Sequence, residues 1–404
     1  MIPPVTWPSL RSIEARQPHN IALLRRWAEI NSGTYHLAGL ARMEEELLEA
    51  FAPLSDKAER LDVAPAPSID AHGNVITTPL GKALRFTKRS DAKLRVLLSI
   101  HYDTVFGPDH PFQHTQVLGV DALGGPGVVD AKGGIIVMLS ALRALEESEV
   151  ADGIGWEVLL SSDEEIGSPS SAPLLIEAAQ RNQLGLVFEP AYADGSLVGA
   201  RKGSGTFTVI IRGRPAHAGR DFDKGRSAIA ALADLIRRLP PHPRPGLTIN
   251  CGKIEGGGAV NIVPDLAIGR FNVRADTADD QLFFEQLIKS ACTKLERVEG
   301  IHCTVHGQFN SPPKPLDERS AQLMNHIIAT GQELGMTLSH QPSGGTCDGN
   351  KLAAAGLPVV DSLGPVGGDL HSEREYVHPS SLTERGKLTG LLLLKLASGE
   401  LSPP

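Results

Sequence analysis

The sequence predicts an α/β protein: a mostly parallel sheet flanked by helices, with a ferredoxin-like α+β unit inserted into it. Three observations carry this expectation. From about residue 94 to 189, short apolar runs alternate with helical periodicity, the pattern of βαβ units and a parallel sheet. At Gly203-Ser204-Gly205 the texture changes, and a β-α-β-β-α-β order follows. After Pro312-Pro313-Lys314-Pro315 the βα style returns. The first domain is therefore expected to be discontinuous, residues 1–202 and 313–404, closing around an insert at 203–312. At 404 residues the chain also exceeds what one hydrophobic core usually serves.

In chain order, apolar residues at helical spacing predict two helices, around 21–27 and 41–51. The run Leu94-Arg95-Val96-Leu97-Leu98-Ser99-Ile100 reads as a buried strand ending at His101. Helices are expected at 135–145 and 172–180, with apolar strands ending at Leu160 and Glu189 and a further apolar run ending at Asp130. In the insert, strands at 206–211, 247–254, 266–273 and near 303–305 alternate with helices at 227–239 and 279–297. A helix at 317–334, a loop at 343–350, a strand at 358–362 and a last helix at 381–397 complete the chain.

Composition is ordinarily globular, with 41% hydrophobic and 21% charged residues. A net charge of -8 points away from nucleic-acid backbones, which call for a basic face. Cys251, Cys292, Cys303 and Cys347 show no Cys-x-x-Cys spacing, which argues against sulfur-ligated zinc and against a disulfide scaffold. Met1-Ile2-Pro3-Pro4-Val5-Thr6-Trp7 lacks the basic and apolar regions of a secretory signal. Leu391-Leu392-Leu393-Leu394 is too short to span a bilayer. A cytoplasmic protein without membrane or nucleic-acid partners is expected.

The most informative segment is Leu159-Leu160-Ser161-Ser162-Asp163-Glu164-Glu165-Ile166-Gly167-Ser168, an apolar strand running into three consecutive carboxylates. Like charges so placed raise one another's pKa and need a compensating cation or open solvent. Because functional residues of α/β sheets gather at the carboxyl ends of strands, four short strands are expected to bring His101, Asp130, Glu165 and Glu189 to one edge. With His371 these are oxygen and imidazole ligands suited to zinc, cobalt or manganese. Asp103 falls on the same strand face as His101 and is positioned to accept its second N–H. His110, His114 and His378 are read as structural or solvent-facing.

His101-Tyr102-Asp103-Thr104-Val105, Gly127-Val128-Val129-Asp130-Ala131-Lys132-Gly133-Gly134, Asp163-Glu164-Glu165-Ile166-Gly167-Ser168, Phe188-Glu189-Pro190-Ala191, Ala216-His217-Ala218-Gly219, Asn261-Ile262-Val263-Pro264-Asp265 and His371-Ser372-Glu373 resemble, in order, the motifs of the dinuclear zinc aminoacylase/carboxypeptidase family. That family includes glutamate carboxypeptidases, acetylornithine deacetylase and succinyl-diaminopimelate desuccinylase. The resemblance implies a zinc-exopeptidase-like catalytic domain carrying two divalent metal ions per chain, zinc foremost. It implies that Asp130 bridges them, with His101 and Glu189 on one ion and Glu165 and His371 on the other. A shared water is then activated, with Glu164 as general base. It further implies a cis peptide at Asp130-Ala131 and a homodimer formed through the insert.

On the substrate side, the resemblance gives His217 the task of holding the oxyanion, from the partner subunit in dimeric members. Asn261 and Arg274 are implied contacts of the substrate carboxylate, with Gly344, Gly345 and Thr346 lining the same pocket. One departure concerns glutamate: releasing members carry a further arginine where this chain reads Phe309-Asn310-Ser311-Pro312-Pro313, with Lys314 as a candidate replacement. The function expected is hydrolysis of an amide (peptide or N-acyl) bond next to a free carboxylate, most like that of a glutamate-carboxypeptidase-type exopeptidase. The alternatives are an N-acyl-amino-acid deacylase, a noncatalytic metal-binding protein on the same fold, and a dinuclear phosphoesterase. The last needs basic residues near the metals, where only Lys132 stands.

Overall fold

The computed structural model describes residues 7–404. Residues 1–6, in the opening stretch where no signal pattern is expected, lie outside the described residues. A six-stranded sheet forms the larger part, ordered Lys57–Leu61, Ala83–Lys88, Gly155–Ser161, Arg95–His101, Leu184–Val187, Val359–Val360. The first two pairings are antiparallel and the last three parallel.

The parallel strands read as unbroken apolar runs because both their faces are covered. Val96, Leu98, Ile100, Val158 and Leu160 pack into a core with the helices Gln17–Ala28, Leu37–Phe51, Lys132–Glu146 and Pro379–Ser398. Leu97, Leu159 and Val187 face the opposite side, against Leu175 and Ala178 of Ala172–Arg181 and Leu352 of Asp348–Ala354. Val359, on the edge strand, joins the same cluster. Alternation of side chains along each strand thus splits one sheet between two cores.

A second, four-stranded antiparallel sheet is ordered Leu247–Gly256, Leu266–Ala275, Gly203–Arg212, His302–Ser311. The helices Ala228–Arg238 and Ala278–Leu295 cover one face and form a separate core around Phe207, Phe271 and Phe284. The second helix starts at a capping box, Thr277 with Asp280, which satisfies its first free amides. The chain passes between the sheets at 201–203 and 311–314, where Arg201 and Lys314 exchange backbone hydrogen bonds of 2.8 and 2.9 Å. Asn350, fully buried, donates to Lys202 O and Pro312 O at those same crossings.

Two expectations need correction. Asp130 does not end a strand: it sits in a turn between Ala122–Gly124 and Lys132–Glu146, so three strands, not four, deliver ligand candidates. Residues 57–88, passed over in the sequence, form two strands of the main sheet and the hairpin Ala66–Ile69/Val75–Thr78.

Candidate metal centre

His101 closes its strand, and Glu165 and Glu189 follow the neighbouring strands on either side. Adjacent parallel strands ending at the same level therefore bring these three side chains together. Asp130 joins them because the next helix begins almost at once and lies hard against the Phe188 segment. A Cβ on Gly134 would come within 2.1 Å of Phe188 O, so glycine is needed for that approach. The Asp130–Ala131 peptide is cis.

Ligating atoms of His101, Asp130 and Glu165 all lie within 4.8 Å of one another. His101 Nε2 is 3.1 Å from Asp130 Oδ1 and 3.9 Å from Glu189 Oε1. His371 Nε2 is 3.2 Å from Asp130 Oδ2 and 3.3 Å from Glu165 Oε2. The two oxygens of Asp130 therefore face two different poles. Ligands about 2.1 Å from a tetrahedral zinc ion lie roughly 3.4 Å apart, close to these separations. A second observation agrees: Glu189 Oε1 is buried without any hydrogen-bond partner, an arrangement a bound cation would complete. The donor set fits two divalent metal ions.

The electrostatics point the same way. Burial and the nearby Glu189 charge push the Glu164 carboxyl well above its usual range. Burial likewise raises Glu189 to about 8 and raises Glu165. Burial alone would lower the His101 imidazole, but hydrogen bonds to Asp103 and Asp130 outweigh it and hold it well above the ordinary histidine value. Hydrogen bonds to Asp130 and Glu165 raise His371 to about 11. Five carboxylates thus surround two imidazoles, and the surplus negative charge favours cations.

Asp103 serves more groups than the sequence suggests. Its Oδ1 lies 3.3 Å from His101 Nδ1, and it also accepts from Thr34 Oγ1 at 2.7 Å and from the amides of Glu164 and Glu165 at 3.2 and 3.3 Å. Asp163, which has no role readable in the sequence, is fully buried and accepts from Ser170 N, Ser171 N and Ser171 Oγ. It ties the Glu164–Glu165 turn to the start of the following helix. Asp348 braces the turn from the other side, accepting from Ser161 Oγ, Ser168 Oγ and Lys351 Nζ. Thr34 and Asp348 act through hydrogen bonds between distant segments, and Asp163 through amides just beyond its own turn, which no local motif announces.

Of the substrate-side residues, Arg274 is half-buried, donates to Thr346 Oγ1 at 3.3 Å and to Asn272 Oδ1 at 2.9 Å, and lies within the field of Glu164. Gly344 and Gly345 lie in the exposed loop leading to Thr346. His217 and Asn261 are brought together, Ala218 N donating to Asn261 O, on the exposed rim of the second sheet. Among the described residues neither makes a hydrogen bond or ion pair with the metal candidates; His217 Nδ1 accepts from Gly219 N and Arg220 N. Lys314 is no carboxylate receptor: it is 1% exposed, with its ammonium 3.1 Å from Asp361. His378 stands at the N-cap position of the last helix with its Nδ1 2.7 Å from Asp121 O, and His110 Nε2 lies 4.0 Å from Glu373.

Residues 97–395 match the profile of peptidase family M20/M25/M40. Carboxypeptidase G2 from Pseudomonas sp. (strain RS-16) is 30% identical over 396 residues, covering 95% of this chain and 91% of that protein. A succinyl-diaminopimelate desuccinylase from Hahella chejuensis is 26% identical over 341 residues, covering 79% and 86%. Among solved structures, a di-peptidase from Saccharomyces cerevisiae superposes with a TM-score of 0.76 at 16% identity, covering 98% of each chain.

Proposed function

From the premise that the chain belongs to peptidase family M20/M25/M40, and is thus a metallohydrolase of amide bonds, we propose that it cleaves an amide adjacent to a free carboxylate in a small peptide or N-acyl-amino acid. The observation that carries this is the pair of poles around Asp130, with Glu164 beside them and Arg274–Thr346 nearby.

His101, Asp130 and Glu189 would hold one divalent ion and Asp130, Glu165 and His371 the other, with zinc the best match to the donors. When bound, the ions supply Lewis acidity toward the scissile carbonyl and acidify water. Glu164 takes the proton of the attacking water and returns it to the leaving amine; burial strengthens its hold on a proton, as that double task requires. Asp103 orients His101 and the Glu164 amide together. Arg274 offers its guanidinium to the substrate carboxylate beside Thr346, with Gly344 and Gly345 leaving room.

His217 and Asn261 would act from a partner subunit. Supporting this, the edge strand Leu247–Gly256 has, beyond Ile249 and among the described residues, no partner strand on its outer side, and Ile229, Ile254, Val260 and Ile262 are exposed in the same unit. We read 203–312 as that dimerising, substrate-covering domain and 1–202 with 313–404 as the catalytic one. A cytoplasmic setting is proposed from the four free cysteines; no described helix is long and apolar enough to cross a membrane.

The deacylase alternative draws on a specific observation. Asn310, rather than arginine, abuts Gly167 of the acidic turn, and Lys314 is engaged by Asp361. A side-chain carboxylate such as glutamate's finds no free cation there, which favours other acyl-amino acids. The test is Glu164→Gln assayed on dipeptides and N-acyl-amino acids: lost turnover with wild-type metal content supports the assignment, and undiminished turnover contradicts it.

A further inference from the structure

Glu375 lies four residues after His371 and has no assigned part in the chemistry. It is 1% exposed, yet it carries a carboxylate in the core. That carboxylate is spent on backbone: Oε2 accepts from Gly127 N at 3.2 Å, and Oε1 accepts from Val129 N at 3.0 Å and Asp130 N at 3.2 Å. Asp130 sits in a turn, so these amides have no ladder partner; without Glu375 they would be buried donors with nothing to bond.

The backbone of Glu375 is tied to the same region. Its carbonyl accepts from Gly125 N at 3.2 Å, and the next residues, Tyr376 and Val377, pair with Gly124 and Leu123. On its other side, Glu375 N donates to Ser372 O, closing the turn that presents His371. In the loop leading directly into that turn, Asp369 and His371 both take left-handed backbone, φ 54° and 59°, although neither is glycine. Such a conformation persists only where surrounding contacts impose it.

We propose that Glu375 is a positioning residue for the metal centre, clamping the Asp130 turn and the His371 loop in one register. Asp130 faces both poles, and His371 belongs to the pole shared with Glu165. Loosening Glu375 therefore perturbs the His371–Glu165 pole through two ligands and the His101–Glu189 pole through one. The inference rests on the metal reading above.

The test is zinc affinity, measured by chelator competition on the full-length apoprotein, with far-UV circular dichroism as a check on folding. Glu375→Gln keeps a carbonyl for two of the amides but sets an amino group against Gly127 N–H. Affinity for one zinc ion, that of the His371–Glu165 pole, falls about 10- to 100-fold, the usual cost of losing a group that orients a ligand, while the other ion changes less. Glu375→Asp, which keeps the charge, recovers part of the loss. Cobalt added as a second equivalent shows an altered visible spectrum in Glu375→Gln, which a merely destabilised fold does not produce. The proposal is overturned if Glu375→Gln binds both zinc ions within about twofold of wild type, or if both variants lose zinc only in proportion to lost folded protein. Wild-type protein that takes up no zinc overturns the metal reading itself, and this proposal with it.

Discussion

At the scale of single residues, the acidic triplet Asp163-Glu164-Glu165 separates into three tasks by where each carboxylate points. Asp163 turns inward to the amides of Ser170 and Ser171, Glu165 lies beside His371, and Glu164 is left with no hydrogen bond to another side chain among those described. That freedom suits a group that must meet water. Glu164→Gln preserves shape while removing the proton acceptor, so kcat is expected to fall about 10²- to 10⁴-fold, the usual contribution of a positioned acid–base group, with metal content unchanged. Glu164 and Glu165 stood out in the sequence because a strand ending in three acids is hard to explain by folding. The task of Asp163 did not, because its partners are amides seven and eight residues on, whose orientation only the turn determines. Glu375 escaped notice for the same reason: its acceptor role is toward backbone about 245 positions away.

At the scale of elements, periodicity located the strands buried on both faces and both units' helices, since an unbroken apolar run or a helical stripe is a strong signal. It passed over Lys57–Leu61 and Ala83–Lys88, whose alternation is blurred by charged residues at half-exposed positions. It also assigned a strand to the Asp130 run, where apolar residues are buried in a turn instead. The crossings between the sheets carry a buried ion cluster that spacing could not reveal: Asp361 is 2.7 Å from Arg201 Nη2 and 3.1 Å from Lys314 Nζ. Burial would raise the Asp361 carboxyl, but Arg201 and Lys314 outweigh it and hold it below its ordinary value. A depressed carboxyl contributes its stability fully above the unfolded-state pKa and loses it as pH falls through the folded value. Asp361→Asn leaves two buried cations uncompensated and is expected to cost about 3–5 kcal/mol in urea unfolding at neutral pH. The difference from wild type should stay constant down to about pH 5 and shrink only below about pH 4, the ordinary carboxylate range; a difference that grows on acidification contradicts the assignment.

At the scale of the whole molecule, the two sheets keep separate cores, and the two units approach each other where Asn310 abuts Gly167 of the acidic turn and Arg274 reaches Thr346. The exposed edge strand and apolar side chains of the second unit fit a homodimer; a monomer in light scattering at micromolar concentration would remove the role given to His217 across subunits. That two sheets with separate cores alternate along the chain was legible from the βα alternation and its interruption, and motif order picked out the ligand candidates, whereas which oxygen of Asp130 faces which imidazole required the structure. That two-pole arrangement is the central claim. Its most direct test is zinc titration of the apoprotein with hydrolysis of an N-acyl-amino acid or dipeptide followed in parallel. Activity is expected to rise to a plateau at two zinc ions per chain; a plateau at one, or uptake of two without any amide hydrolysis, contradicts it.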